Sequence, residues 1–167
     1  MLNSEELRYA CDVAQKRHSA LVNLIFDNDK SAMGLMQLYI TIASATISGA
    51  AVIWFKIGNS GAPAYLTFVL MAIGIPCLFG AANCFAALWP SNINLPGTQP
   101  DLWLWADEAE KRGDEALRIY LTRLKEGHAR NELVNDRADA YMKIAKWSGI
   151  MTPLLGFIAL FAGMLHG

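Results

Sequence analysis

Three arginines recur every seven residues in the second half of the chain, at Arg123, Arg130 and Arg137. In a helix, side chains seven residues apart lie on one face, so the three guanidinium groups would form a column. Arginine binds phosphate and carboxylate groups through two parallel hydrogen bonds. The column is therefore a candidate site for a phosphate-bearing ligand or for a partner protein.

A solvated helix face is the alternative interpretation of this segment. Glu126 precedes Arg130 by four residues, and Asp139 precedes Lys143 by the same spacing. Such acid-before-base pairs are typical of an exposed helix surface. His128 fits this interpretation as well, since a histidine here is expected to be an exposed helical residue rather than a catalyst.

A second set of polar side chains lies within an apolar stretch. Gln37, Thr41, Ser44 and Ser48 fall on one stripe of a helix, named here the polar stripe. Lipid does not favour such a stripe, so it should face protein or water. It is either a helix–helix interface or the wet lining of a pathway between assembled copies. Asn83, in the next apolar stretch, is expected to make an interhelical hydrogen bond.

Small residues recur at helical spacing on the second and third apolar stretches. Gly80 and Cys84 are four residues apart, whereas Gly149, Gly156 and Gly163 are spaced by seven. Small side chains let helix backbones approach closely in a membrane. We therefore predict that these positions pack helices together and favour self-association, and that Gly156→Leu disrupts assembly.

The sequence offers little for catalysis. No carboxylate pair, histidine cluster or nucleophile–base constellation is apparent, and no H-x-x-C or C-x-x-C spacing supports a metal site. A net charge of −1 gives no field that would attract nucleic acid. The three cysteines are interpreted as packing residues. The sequence therefore predicts a protein that is not an enzyme, with no cofactor, no metal and no nucleic-acid partner.

Three long apolar stretches must position these side chains. The hydrophobic fraction is 54% and the mean hydropathy is +0.26, which is too apolar for an ordinary soluble domain. Residues 31–56, 64–89 and 147–166 are predicted to cross a membrane, because roughly 20 apolar residues suffice for a helical span. The lipid bilayer is thus the first predicted partner.

The segments outside the spans are also predicted to be helical. Residues 1–30 form an amphipathic helix with Ser4 as its N-cap, and this helix continues without a break into the first span. Residues 90–146 hold an irregular linker, a short helix from Asp101, and a long helix that follows Gly113.

Charge placement predicts the orientation. Lysine and arginine number four before the first span, one in the hairpin turn and nine between the second and third spans. Since positively charged segments stay in the cytoplasm, the N-terminus is expected inside and the C-terminus outside. The predicted fold class is an all-α integral membrane protein with three transmembrane helices. A cytosolic helical stalk, formed by the N-terminal helix and the helices of 101–146, completes an oligomeric assembly.

Two segments resemble a known group of proteins. The segment LVNLIFDNDKSAMGLMQLYITIASA, Leu21 to Ala45, resembles the start of small bacterial anti-phage membrane effectors of the Pycsar transmembrane type. Asp29–Lys30–Ser31–Ala32 stands where those proteins show a D-x-K-A-like step into the first span. The segment NELVNDRADAYMKIAKWSGIMTPLLGFIAL, Asn131 to Leu160, resembles their closing helix, and SLATT-type effectors share the layout of helix, hairpin and helix.

This resemblance implies a function in defence. It implies a signal-responsive effector that oligomerises and compromises the bacterial inner membrane, in abortive infection, after a cyclic nucleotide or another infection signal. No cyclic-nucleotide-binding domain is recognisable, so a nucleotide second messenger and a cytosolic partner protein both stay open as triggers. The alternative is a membrane anchor or scaffold subunit whose cytosolic helices bind and regulate a soluble partner.

Overall fold

The computed structural model describes residues 3–55, 63–89, 92–95, 97, 102, 104 and 113–166. The regular elements in these ranges are three α-helices: α1 (Ser4–Phe55), α2 (Tyr65–Ala87) and α3 (Gly113–His166). No strand occurs among these residues. The predicted all-α class is confirmed for this part of the chain.

Helix α1 begins with a reciprocal cap. The Asn3 side-chain oxygen accepts a hydrogen bond from the Glu6 amide at 2.8 Å, and the Asn3 amide donates to the Glu6 carboxylate at 2.8 Å. This capping box satisfies two donors at the helix start. Ser4 was the predicted cap, but its hydroxyl instead donates to Asp114 Oδ1 at 2.7 Å. The cap is Asn3, one residue earlier than the sequence pattern indicated.

Helices α2 and α3 both contain a proline and run through it. α2 is continuous through Pro76, and α3 continues through Pro153 to its end. The predicted polar turn of residues 58–63 lies outside the described residues, apart from Pro63. The short helix predicted from Asp101 does so too, apart from two leucines at 102 and 104.

The chain divides into two compact units. Unit 1 comprises residues 1–28 and 90–136, and unit 2 comprises residues 29–89 and 137–167. The core of unit 1 contains Cys11, Leu102, Tyr120 and Leu124.

The buried face of α1 in unit 1 follows a heptad spacing, through Leu7, Cys11, His18, Val22 and Ile25. Steps of three and four residues keep one side of a helix turned toward its neighbours. Leu24, although apolar and next to Ile25, is 48% exposed, since the heptad selects Val22 and Ile25.

The core of unit 2 is built from small side chains around one tyrosine. Its members come from all three helices: Ala32, Tyr39 and Ala43 from α1, Cys77, Ala81 and Cys84 from α2, and Met142 and Ala145 from α3. Small residues allow close helix contact without a hydrophobic driving force, as required in lipid.

Each of the three helices contains a stretch long and apolar enough to cross a membrane. Only 17% of that stretch is buried in α1 and in α3, and 28% in α2. Most of this apolar surface therefore faces outward, where lipid would cover it. By length and composition, these three helices are compatible with a transmembrane protein.

Candidate functional site

A cavity of about 650 Å³ lies within unit 1 and is named here the unit 1 cavity. Small-molecule sites in proteins typically measure about 300 to 1,000 Å³, so a metabolite-sized ligand would fit. Helix α1, the segment before α3 and α3 itself all contribute to its lining: His18, Ile93, Asn94, Leu95, Gly97, Tyr120, Arg123, Leu124, Glu126, Gly127 and Arg130.

One wall of the cavity is fixed by a fully buried asparagine. Asn131 is 0% exposed, and its Oδ1 accepts a hydrogen bond from the Asn94 amide at 2.9 Å. Its Nδ2 donates to the Asn94 carbonyl at 2.8 Å. One side chain thus satisfies both backbone groups of Asn94, as a neighbouring strand would, and holds this segment on α3.

His18 holds the same segment from α1. It is 2% exposed, and its Nε2 lies 2.9 Å from the Asn94 carbonyl oxygen. A carbonyl oxygen only accepts, so Nε2 carries a proton and donates it. The Asn94 carbonyl therefore accepts two hydrogen bonds, one from each long helix.

Two histidine ring nitrogens near this wall make no hydrogen bond to any described residue. The Nδ1 atoms of His18 and His128 are buried and have no hydrogen-bond partner in the described part of the chain. The two rings lie 6.1 Å apart, centroid to centroid. His128 was predicted to be an exposed helical residue, yet it is partly buried. Since buried polar atoms almost always have a partner, these atoms mark unused hydrogen-bonding capacity beside the cavity.

The arginine column divides in the structure. Arg123 and Arg130 line the unit 1 cavity. Arg137 belongs to unit 2, where its guanidinium carbon lies 5.8 Å from the centroid of the Tyr141 ring. Two of the three predicted ligand-binding arginines are therefore brought to one cavity, and the third is not.

The two acid-before-base pairs also behave differently. Lys143 and Asp139 form the predicted ion pair at 2.7 Å on an exposed surface. Glu126 and Arg130 do not come within ion-pair distance, although both line the cavity. Glu126 and Arg130 are nevertheless both exposed, as a solvated helix face requires, so the solvated-face interpretation stays open for this pair.

Among the described residues, the charged groups that line the cavity are those of Arg123, Arg130 and Glu126. Burial raises the pKa of the nearby Cys11 thiol, whose sulfur lies 3.6 Å from the Leu117 carbonyl, so Cys11 is a poor nucleophile. No group of three metal-ligating side chains occurs among the residues described.

The polar stripe is a second candidate site, in the first span. All four of its residues are exposed. The buried positions of α1 in unit 2 are Ala32, Tyr39, Ala43 and Ala50. These lie about half a helical turn away from the stripe, so the stripe faces away from the core of its own unit.

The hydroxyl groups of the stripe are partly satisfied within α1. Thr41 donates to the Gln37 carbonyl at 2.9 Å, and Ser44 donates to the Ile40 carbonyl at 2.7 Å. Such bonds to the previous turn are common for hydroxyl residues in helices. The Gln37 amide has no side-chain hydrogen bond within the ranges described. The Ser48 hydroxyl has none within those ranges either, so Gln37 and Ser48 are the stripe residues that most need an external partner.

Asn83 departs from its predicted role. It is buried in α2, but its amide donates to the carbonyl of Phe79, one turn earlier in the same helix, at 2.8 Å. The expected hydrogen bond was interhelical. A carbonyl on the same helix lies closer, because an asparagine side chain is short enough to fold back on its own backbone.

Tyr39 is the centre of unit 2. Its hydroxyl donates to the Ala145 carbonyl at 2.7 Å, and its ring contacts two of the predicted packing glycines. A Cβ at Gly80 would lie 2.8 Å from the ring, and a Cβ at Gly149 would collide with the hydroxyl. Cys84 belongs to the same core and is fully buried.

The other two predicted packing glycines also face a side chain of the same chain. Gly156 lies against Ile73, where an added Cβ would be 3.0 Å away. Gly163 lies against Tyr65, at 2.6 Å. These glycines thus pack α3 against α2 within one copy. They were predicted to favour self-association, which these intrachain contacts do not provide.

Three important residues were missed from the sequence. His18 follows Cys11 by seven residues and precedes Ile25 by seven, so the heptad could have identified it. Tyr39 likewise follows Ala32 by seven. Asn94 lies in an irregular segment and carries no periodic signal.

No protein-family model, curated protein or solved structure matches this chain. The resemblance to Pycsar-type and SLATT-type effectors therefore remains a prediction from short segments.

Proposed function

We propose that the protein is a signal-responsive, oligomeric effector that permeabilises the bacterial inner membrane, in anti-phage defence. The observation that carries this proposal is the exposed polar stripe on α1, opposite the buried face of the same helix. The effector resemblance of the sequence supports the same function.

The polar stripe is expected to face protein or water rather than lipid. An unpaired amide in hydrocarbon costs several kcal/mol, and the Gln37 side chain is exposed on a predicted span. Assembly of several copies would place the stripe against protein or water. The core of unit 2 is filled by small side chains and Tyr39, so a pathway for ions would run between copies rather than through one.

The continuity of helices α1 and α3 supports the proposal that the effector responds to a signal. α1 is one helix that carries both His18 of the cavity and the polar stripe. α3 is one helix that carries both cavity arginines and the third span. A change of helix position at the cavity would therefore be transmitted along unbroken helices. The proposed orientation places the N-terminus in the cytoplasm and the C-terminus outside.

The test is leakage during expression, with and without phage infection. Uptake of propidium iodide and release of potassium report permeabilisation. We expect leakage with the wild type, strong reduction with Gln37→Leu, and no change with Leu38→Val, an exposed neighbour off the stripe. Membranes that stay tight in every condition, while the protein is present and assembled, would contradict the proposal.

A membrane anchor or scaffold is the second candidate function. It is favoured by the hydroxyl groups of Thr41 and Ser44. These groups already donate hydrogen bonds to carbonyls within α1, so they do not require a hydrogen-bond acceptor on a neighbouring copy. This function predicts one stoichiometric cytosolic protein in pull-down, tight membranes, and no effect of Gln37→Leu.

A further inference from the structure

We infer that the unit 1 cavity binds a small organic phosphate ester, with Arg123 and Arg130 as the residues that contact the phosphate. The role of this ligand as the trigger rests on the proposed function. The binding itself does not.

The arginines provide the first argument. Both line the cavity, both are exposed, and neither has an ion-pair partner in the part of the chain that the structure describes. Their backbones are roughly 10 Å apart along α3, a separation that two long side chains can bridge to one anionic group. An unpaired arginine in a concave site is suited to bidentate binding of phosphate.

Two other basic residues of α3, Arg137 and Lys143, can be compared with the two arginines of the cavity. Arg137 continues the seven-residue spacing but packs against the Tyr141 ring and does not line the cavity. Lys143 is exposed and paired with Asp139. Of the three arginines at this spacing, Arg123 and Arg130 line the cavity, whereas Arg137 does not.

The rest of the lining defines the remainder of the ligand. Tyr120 and Leu124 are buried and form an apolar wall, which suits a ring or an alkyl group next to the phosphate. Glu126 supplies an acceptor for hydroxyl or amine donors. The unpartnered Nδ1 of His18 is a further group beside the cavity. A bare inorganic ion would use only the two arginines.

Two sources of such an ester are distinguished by the probes. The full chain is purified in a maltoside detergent, which contains no phosphate. Binding is measured by thermophoresis with inorganic phosphate, with adenosine monophosphate, and with short-chain phosphatidylglycerol. We expect saturable binding of an ester that is tighter than binding of inorganic phosphate. Binding of the nucleotide assigns a soluble source, and binding of phosphatidylglycerol alone assigns a lipid headgroup.

Substitutions then locate the contact. Arg123→Gln and Arg130→Gln should each weaken binding by about tenfold or more, because each removes a charge-assisted hydrogen bond. Arg137→Gln is the control and should leave affinity unchanged. Glu126→Gln should tighten the binding of inorganic phosphate, because it removes a like charge. The melting temperature without ligand should not change, since both cavity arginines are exposed.

Three results would overturn the inference: no binding of any probe to the wild type, equal weakening by Arg137→Gln, or inorganic phosphate binding as tightly as both esters. Leakage separates this inference from the proposed function. If wild-type membranes leak but no ester binds, the inference fails and the effector function stands. If an ester binds and membranes stay tight, the binding site stands and the effector function fails.

Discussion

Units 1 and 2 are built on the same two long helices but bury different chemistry. In unit 1, α1 buries His18 and α3 buries Asn131, and both side chains are hydrogen-bonded to one backbone segment. In unit 2 the same helices bury alanine, methionine and the Tyr39 ring, and their buried hydroxyl residues, Ser148 and Thr152, donate to carbonyls one turn earlier in α3 rather than to a loop. Unit 1 therefore has polar groups that hold a loop beside a cavity, whereas unit 2 has small residues that bring helices together.

This difference indicates that buried polar groups fix the loop of unit 1 in one arrangement, whereas small residues allow the helices of unit 2 to associate. A buried polar network is stabilising only when its members are satisfied, so it fixes one arrangement of its loop. Small-residue packing in lipid depends on shape, since helices gain little by leaving apolar surroundings. Each unit should therefore depend on its own kind of contact.

The largest effect is expected at the buried asparagine of unit 1. Asn131→Leu removes both hydrogen bonds to Asn94 and leaves the Asn94 amide without its partner, which costs about 2 to 3 kcal/mol. Alkylation of Cys11, followed by mass spectrometry, reports the opening of unit 1. Asn135→Leu, which loses a single 3.1 Å bond to Asn28, is the control and should cost about 1 kcal/mol. Equal effects of the two substitutions would contradict a special role for Asn131.

A smaller effect is expected from overfilling unit 2. Gly80→Ala places a methyl group against the buried Tyr39 ring and should destabilise the spans by about 1 to 3 kcal/mol. Gly34→Ala is the same substitution where nothing lies within 4 Å, so no loss is expected. Thermal unfolding in detergent, followed by circular dichroism, compares them. An unchanged melting temperature for Gly80→Ala would show that the ring is free to move.

Removal of one hydroxyl tests the polar contact in unit 2. Tyr39→Phe keeps the ring but deletes the bond to the Ala145 carbonyl, with an expected cost of about 1 kcal/mol. The same unfolding measurement applies. A cost equal to that of Tyr39→Ala would mean that the ring contributes nothing to packing.

The smallest effect concerns the pH dependence of unit 1. Burial raises the pKa of the Cys11 thiol, so the folded chain holds this proton more tightly than the unfolded chain. The contribution of Cys11 to stability is then fully present at neutral pH and is lost as the pH rises beyond about 8.5, the ordinary thiol value. Alkylation of Cys11 at mildly alkaline pH should be slow in the folded protein and fast in denaturant. Equal rates would contradict this burial.

Much of the fold was predictable because local signals agree. No glycine or proline interrupts residues 4–33, so the continuity of α1 into the first span followed from helix rules. The buried side of α3 also follows from periodicity, since Tyr120, Leu124, Ala138 and Ala145 are buried and lie four or seven residues, or a multiple of seven, after one another. The apolar stretches were recognisable from length alone.

The candidate site was less predictable because it joins distant segments. His18, Asn94 and Asn131 come from three parts of the chain, and only contact in the folded protein shows that they share one backbone carbonyl. Periodicity placed three arginines on one face, but it could not tell which of them border a cavity. It also could not show that the small residues of the spans are already used within one copy.

The most direct test of the account measures whether the polar stripe faces other copies and water. Ser44→Cys and the adjacent Ala45→Cys lie at the same depth of the span, and both positions are exposed, but only the first is on the stripe. The account predicts that, in membranes, Cys at 44 reacts with a water-soluble thiol reagent or forms disulfides between copies, whereas Cys at 45 does neither. If the two positions are equally inert, the stripe faces lipid, and the central claim of an assembled, permeabilising effector is contradicted.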